Sequence, residues 1–127
     1  MKQTTKFLAV LLLGVAIGAW GIPALWAQTA GHSAFIVAEM HVTDPAGFTE
    51  YMQREPATLA AFRGQVAARG LPDTREGAAP DGVTTIYAFS TPEDANRWYS
   101  SPDYAKLLTL RQHSATSRVY FLTGVVK

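Results

Sequence analysis

The chain has 127 residues, 48% hydrophobic and 17% charged, a length and balance that suit one small globular domain with an additional segment. Its formal charge is +1, but Lys2 and Lys6 supply two of the eleven Lys and Arg side chains. The nine that remain face ten carboxylates, so no basic stripe is left to grip nucleic acid. Cysteine is absent, which excludes disulfides, thiolate metal sites, thiol nucleophiles and a lipidated N-terminal cysteine.

The N-terminus reads as an export signal over residues 1–27. "MKQTTK" is short and basic, "FLAVLLLGVAIGAW" is an unbroken apolar run, and "GIPALWA" offers Gly21 and Pro23 as helix breakers and Ala27 as a small residue for a peptidase. Cleavage is expected near Ala27–Gln28, placing the mature protein in the periplasm or outside the cell. The alternative is a retained membrane anchor, since Phe7 to Ala27 is about 21 residues and long enough to cross ~30 Å of hydrocarbon. There is no twin-arginine pair, so export would be of an unfolded chain.

The globular domain is expected over residues 33–125. "AFIVAEMHV" (Ala34–Val42) is rich in branched and apolar residues and predicts a strand. Asp44 then caps a helix with Pro45 at its first position, and Phe48, Met52, Leu59 and Phe62 recur at helical spacing to about Arg63. Pro56 lies inside that helix and should kink it, and Glu55 falls on the same stripe as the apolar residues. "GQVAARG" predicts a short second strand, "LPDTREGAAPDG" a loop, and "VTTIYAFS" a third strand.

Thr91 caps the next helix, with Pro92 first and Asp94 three residues after the cap. "SSPDYAKLL" interrupts it. Ser101 and Pro102 there read as a second helix start, with Asp103 at the positive end of the new helix. "TSRVYFLTG" (Thr116–Gly124) is the last strand.

The order β-α-β-β-α-β is that of a ferredoxin-like α+β domain, with a four-stranded antiparallel sheet and both helices on one face. On the first strand Ile36, Ala38, Met40 and Val42 should face the helices, and Phe35, Val37, Glu39 and His41 the open side. Thr85, Tyr87 and Phe89 are assigned to that open face, joined by Tyr120 or Phe121 according to the phase of the last strand. So much apolar surface predicts a second copy of the sheet as its cover, and hence a two-fold dimer.

Residues 34–124 resemble domain-of-unknown-function family 1330, within the dimeric α+β barrel superfamily. The likeness is carried by "VTDPAGFTEY", by "PATLAAFRGQVAARG", and most specifically by "WYSSPDYAKLLTLR". Arg63 stands where the family usually has glycine, Val66 where it has an aromatic residue, and Leu71 where it has another glycine. The resemblance implies the fold and the dimer. More distant members of the superfamily include cofactor-independent monooxygenases and isomerases, an analogy of fold that assigns no reaction.

Glu39 and His41 alternate on one strand and project from one face roughly 7 Å apart, where a carboxylate beside an imidazole makes a general base. They are the candidate catalytic pair. Arg69, Tyr87, Phe35, Tyr104 and Arg118 are candidate ligand-binding residues, offering cations and phenols among aromatic surface. Two convergent ligands do not make a metal site, and no nucleotide fingerprint or phosphate-binding glycine loop is present, so no metal or cofactor is expected. The reading favoured is an exported homodimer that holds a small apolar or aromatic molecule between its sheet faces. The alternatives are a cofactor-independent monooxygenase or isomerase, and a purely structural dimer.

Overall fold

The computed structural model describes residues 32–125; the segment read as signal or anchor lies outside them. Strand β1 is Ala34–Val42, helix α1 Pro45–Leu59, β2 Gly64–Gly70, β3 Val83–Phe89, α2 Pro92–Tyr99, α3 Pro102–Ser114 and β4 Ala115–Thr123. The strands form one antiparallel sheet in the order β2-β3-β1-β4. That is the ferredoxin-like arrangement, with the second crossover helix split in two. Among the described residues no helix is long and apolar enough to cross a membrane.

The helix starts follow their capping chemistry. Asp44 Oδ1 accepts from the Ala46 N–H at 3.2 Å, and Thr91 Oγ1 from the Asp94 N–H at 3.1 Å. Ser101 serves two helices. Its Oγ accepts from the Tyr104 N–H at 3.2 Å, opening α3, and donates to the Trp98 carbonyl at 2.8 Å, closing α2. The Ser-Pro break is therefore a joint in which one hydroxyl meets a terminal backbone group of each helix.

Helix α1 runs through Pro56 but ends earlier than its apolar spacing predicts. After Leu59 the backbone tightens into a 3₁₀ turn over Ala60–Phe62, and Arg63 takes the left-handed conformation at φ 53°. A side chain in this conformation costs roughly 1–2 kcal/mol. Arg63 Nη2 lies 2.6 Å from Oδ2 of the buried Asp94, a charge contact rather than an aligned hydrogen bond.

The core lies between the sheet and the helices. Ile36, Ala38 and Met40 face it as expected, packed with Phe48, Tyr51, Leu59, Trp98, Tyr104 and Leu107. The third strand departs from expectation. Direct pairing of Ile36 with Tyr87, Ala38 with Thr85 and Ala34 with Phe89 puts Thr85, Tyr87 and Phe89 on the helix side, leaving Thr84, Ile86 and Ala88 on the open face. Packing decides the phase. The fully buried Trp98 ring sits 5.1 Å from Tyr87 and 5.6 Å from Phe89, and Gly64 lies opposite Phe89, where any Cβ would run into the ring.

The last strand's phase is set by Val37 pairing with Tyr120 and Ile36 with Phe121. Tyr120 and Leu122 therefore join the open face, while Phe121 meets Tyr99 edge-on at 5.5 Å on the other side.

Candidate functional site

Glu39 is the centre of the open face. It is only 8% exposed, on the central strand β1 with β3 and β4 on either side. From the directly paired position on β4, Arg118 donates through Nε at 2.7 Å to Glu39 Oε2, with Nη2 2.6 Å from the same oxygen. Tyr120 donates its hydroxyl to Oε1 at 3.1 Å. A carboxylate held by one guanidinium and one phenol is fixed in position.

His41 does not meet Glu39. Its Nδ1 lies 3.0 Å from Asp81 Oδ1 in the loop before β3, and both side chains are well exposed. The two members of the proposed catalytic pair instead share the wall of one groove of about 440 Å³, with Ala78, Pro80, Thr116 and Arg118.

A second groove of about 410 Å³ opens on the other side of Glu39, bordered by Leu71, Pro72, Pro80, Thr84, Ile86 and Tyr120. Thr84 Oγ1 is buried there without a hydrogen-bond partner among the described residues. Phe35, half-buried, continues the apolar surface opposite Leu122. Of the expected ligand-binding residues, Phe35 and Arg118 therefore lie on the open face.

Arg69, Tyr87 and Tyr104 lie elsewhere, in a polar network within the core. Arg69 reaches it because of a bulge: Val66 pairs with Tyr87 but Ala68 with Ile86, so Ala67 is extra and the strand changes phase. If Ala67 were paired in regular alternation, Arg69 would stand opposite Thr84 and point to the open face. With the bulge, Arg69 Nε donates to Thr85 Oγ1 at 3.0 Å, and Nη2 donates to Oε2 of the fully buried Glu55. Arg69 also borders the 410 Å³ groove.

Glu55 Oε1 accepts from the Tyr87 hydroxyl. Tyr51 OH stands 3.0 Å from Tyr87 OH and 3.1 Å from Tyr104 OH, and Arg111 Nη1 donates to Tyr104 OH at 3.1 Å. Each phenol has one proton, so the direction of this chain is determined. Tyr87 gives its proton to Glu55, hence Tyr51 must donate to Tyr87, and Tyr104 to Tyr51. The protons all point from Arg111 toward Glu55.

Burial pushes the Tyr51, Tyr87 and Tyr104 phenols above their usual range. Neighbouring phenols add to the effect at Tyr51, the Glu55 charge adds at Tyr87, and the Arg111 charge opposes it at Tyr104. At Arg69 burial works against the cation, but the hydrogen bond and attraction to Glu55 outweigh it and the net shift is upward. These phenols are donors that keep their protons at neutral pH, suited to orienting charge rather than acting as nucleophiles.

Tyr51, Arg111, Asp81, Thr84 and the side taken by Tyr120 were not singled out from sequence. The spacing does hold a signal for two of them. Tyr51 and Glu55 are four residues apart on one helix, and Tyr104 and Arg111 seven apart on another, so each pair shares a core-facing stripe. Among the described residues no group of three or more His, Asp and Glu is placed to hold a metal ion.

Solved structures with this arrangement are similar to the chain in fold. SnoaB, a cofactor-independent oxygenase from Streptomyces nogalater, aligns with a TM-score of 0.56 at 20% identity, over 76% of this chain and 96% of that one. RPA0582, a protein of unknown function from Rhodopseudomonas palustris, aligns at 0.58 and 13%, over 87% and 95%. A dimeric ferredoxin-like protein of unknown function from Thermobifida fusca aligns at 0.55 and 11%, over 73% and 92%. No curated protein matches the chain. At these identities the likeness is one of fold. The family is shown by the sequence itself: residues 33–125 match DUF1330, a domain of unknown function, and the chain belongs to that family.

Proposed function

We propose that this protein is an exported homodimer that binds a small apolar or aromatic molecule on the open face of its sheet. The observation that carries the reading is the surface around Glu39. Val37 is nearly buried, Phe35 and Ile86 are half-buried, and Tyr120 and Leu122 are 39% and 51% exposed around a fixed carboxylate. Apolar side chains clustered on one face favour a cover, and a second copy of the same face satisfies two-fold symmetry. The dimeric state of the Thermobifida fusca neighbour supports this.

A groove of about 410 Å³ falls within the ~300–1,000 Å³ range of small-molecule sites. In this reading the Thr84 hydroxyl and the Glu39–Tyr120 pair orient a polar substituent, while Leu71, Pro72 and Ile86 take the apolar body. Export rests on the sequence of residues 1–27 alone.

Native mass spectrometry of the protein purified from its own host tests all three parts. The expected spectrum is a dimer of chains beginning near Gln28, carrying a small molecule. Leu122→Glu should give monomers, and Tyr120→Ala should lose the added mass. A wild-type monomer would remove the reading.

A second reading, cofactor-independent oxygenase or isomerase chemistry, is favoured by the His41–Asp81 contact. It occupies Nδ1 and leaves Nε2 as a base beside the 440 Å³ groove. Turnover of an aromatic substrate that survived both His41→Ala and Glu39→Gln would rule that pair out.

A further inference from the structure

Arg111 occupies an unusual position for a cation. It is 3% exposed, near the end of α3, and belongs to none of the ion pairs formed among the described residues. Its guanidinium donates to two phenol oxygens, Tyr104 OH at 3.1 Å and Tyr99 OH at 3.4 Å. Nε is buried with no hydrogen-bond partner among the described residues. Buried charges are ordinarily paired. The C-terminal end of α3 supplies a partial negative potential, but it gives Nε no acceptor.

The surroundings deepen the imbalance. The phenol chain joins Arg111 to the Arg69–Glu55 pair, so the connected network contains two guanidinium groups and one carboxylate. The phenol next to Arg111 does not supply the missing charge, because burial holds Tyr104 in its protonated form. Arg111 also lines a cavity of about 490 Å³, together with Tyr99, Gln112, Ala115, Thr116, Ser117 and Val119. It lies at the β4 edge, shares Thr116 and Ser117 with the 440 Å³ groove, and shares no lining residue with the 410 Å³ groove.

We propose that this cavity is an anion site, in which the guanidinium of Arg111 and the hydroxyl of Tyr99 hold the carboxylate of a small aromatic or aliphatic acid. A planar fork with unspent N–H groups matches a carboxylate in geometry as well as charge. The Tyr99 ring and Val119 flank the acid's apolar body, and Gln112, Thr116 and Ser117 provide hydroxyl and amide groups at the rim. The site does not depend on the open-face reading and stands if that reading fails.

Calorimetric titration of the folded protein with benzoate and with benzamide tests the assignment, since the two differ in charge but hardly in shape. Benzoate should bind at least about tenfold more tightly than benzamide. Arg111→Met should abolish that preference, Arg111→Lys should weaken it, and Tyr99→Phe should reduce benzoate affinity with the fold intact. Arg54→Ala, which removes an exposed cation on α1, should leave binding unchanged. Equal binding of the two compounds, binding of neither, or undiminished benzoate affinity in a folded Arg111→Met protein would overturn the proposal. So would uptake of inorganic phosphate in place of benzoate. Should Arg111→Met fail to fold, the comparison on wild-type protein and the Tyr99→Phe titration still decide.

Discussion

Glu55→Gln is the most informative single change in the core. Glu55 is fully buried and accepts from both Arg69 and Tyr87. The amide keeps the shape but loses the charge, and it cannot present oxygen to both donors at once. Breaking a buried ion pair by removing one partner costs about 3–5 kcal/mol. The Arg69 side chain is 22% exposed and retains Thr85 Oγ1 at 3.0 Å, so water and that hydroxyl recover part of the loss.

Taking roughly half of the buried-pair figure leaves about 2 kcal/mol for Glu55→Gln. At about 4–8 °C per kcal/mol for a domain of this size, Tm should fall by about 8–16 °C. Glu55→Leu leaves Tyr87 without its acceptor as well and should cost about 4 kcal/mol. Urea denaturation of wild type, both variants, Arg69→Met and the Glu55→Leu/Arg69→Met double variant checks the reasoning. The double variant should be more stable than Glu55→Leu alone, because the unpaired cation is gone. A Glu55→Gln protein within about 0.5 kcal/mol of wild type would refute it, since surface changes alone span that much.

Three further outcomes follow from particular contacts. The phenols of Tyr51, Tyr87 and Tyr104 hold their protons in the fold but ionise near pH 10 when unfolded, so above that pH the unfolded chain binds fewer protons. Stability should therefore be complete below about pH 10 and then fall by up to roughly 4 kcal/mol per pH unit, with at most two of the five tyrosines ionising before unfolding in an ultraviolet titration. Gly64→Ala should destabilise by about 1–3 kcal/mol in chemical denaturation through overlap with the Phe89 ring, and Phe89→Leu should lessen that penalty. Arg63→Gly relieves the left-handed strain but removes the contact to Asp94; in an Asp94→Asn background only the relief remains, and thermal melts should show a gain of about 1 kcal/mol.

Most of the fold is legible in local signals. Asp44-Pro45, Thr91-Pro92 and Ser101-Pro102 each announce a helix start, and each cap is made as its chemistry requires. The two faces of β1 are also legible, because Glu39 and His41 alternate with residues that are wholly apolar. On β3 the alternation carries less information. Thr84, Ile86 and Ala88 form as plausible a core face as Thr85, Tyr87 and Phe89, and the choice between them is made by Trp98 and Gly64, which are distant in sequence.

That one ambiguity accounts for much of what sequence reading missed at the candidate site. With Tyr87 assigned to the open face, Glu55 on its apolar stripe has no donor in reach, and the spacing of Tyr51 and Tyr104 suggests only packing. The bulge at Ala67 compounds the error, since regular alternation sends Arg69 to the wrong side of the sheet. Returning both residues to the helix side closes the path from Arg69 through Glu55 and three phenols to Arg111. The open face is affected in the opposite sense. Losing Tyr87 leaves it Ile86 and Thr84 from β3, and the fixed position of Glu39 then depends on Arg118 and Tyr120 of β4. The sheet thus carries two ionic groups, one centred on Glu39 on the open face and one beneath the helices that reaches the surface at Arg69. The apolar surface of the open face and the charge of the core network can therefore be altered independently, by Leu122→Glu and by Arg111→Met.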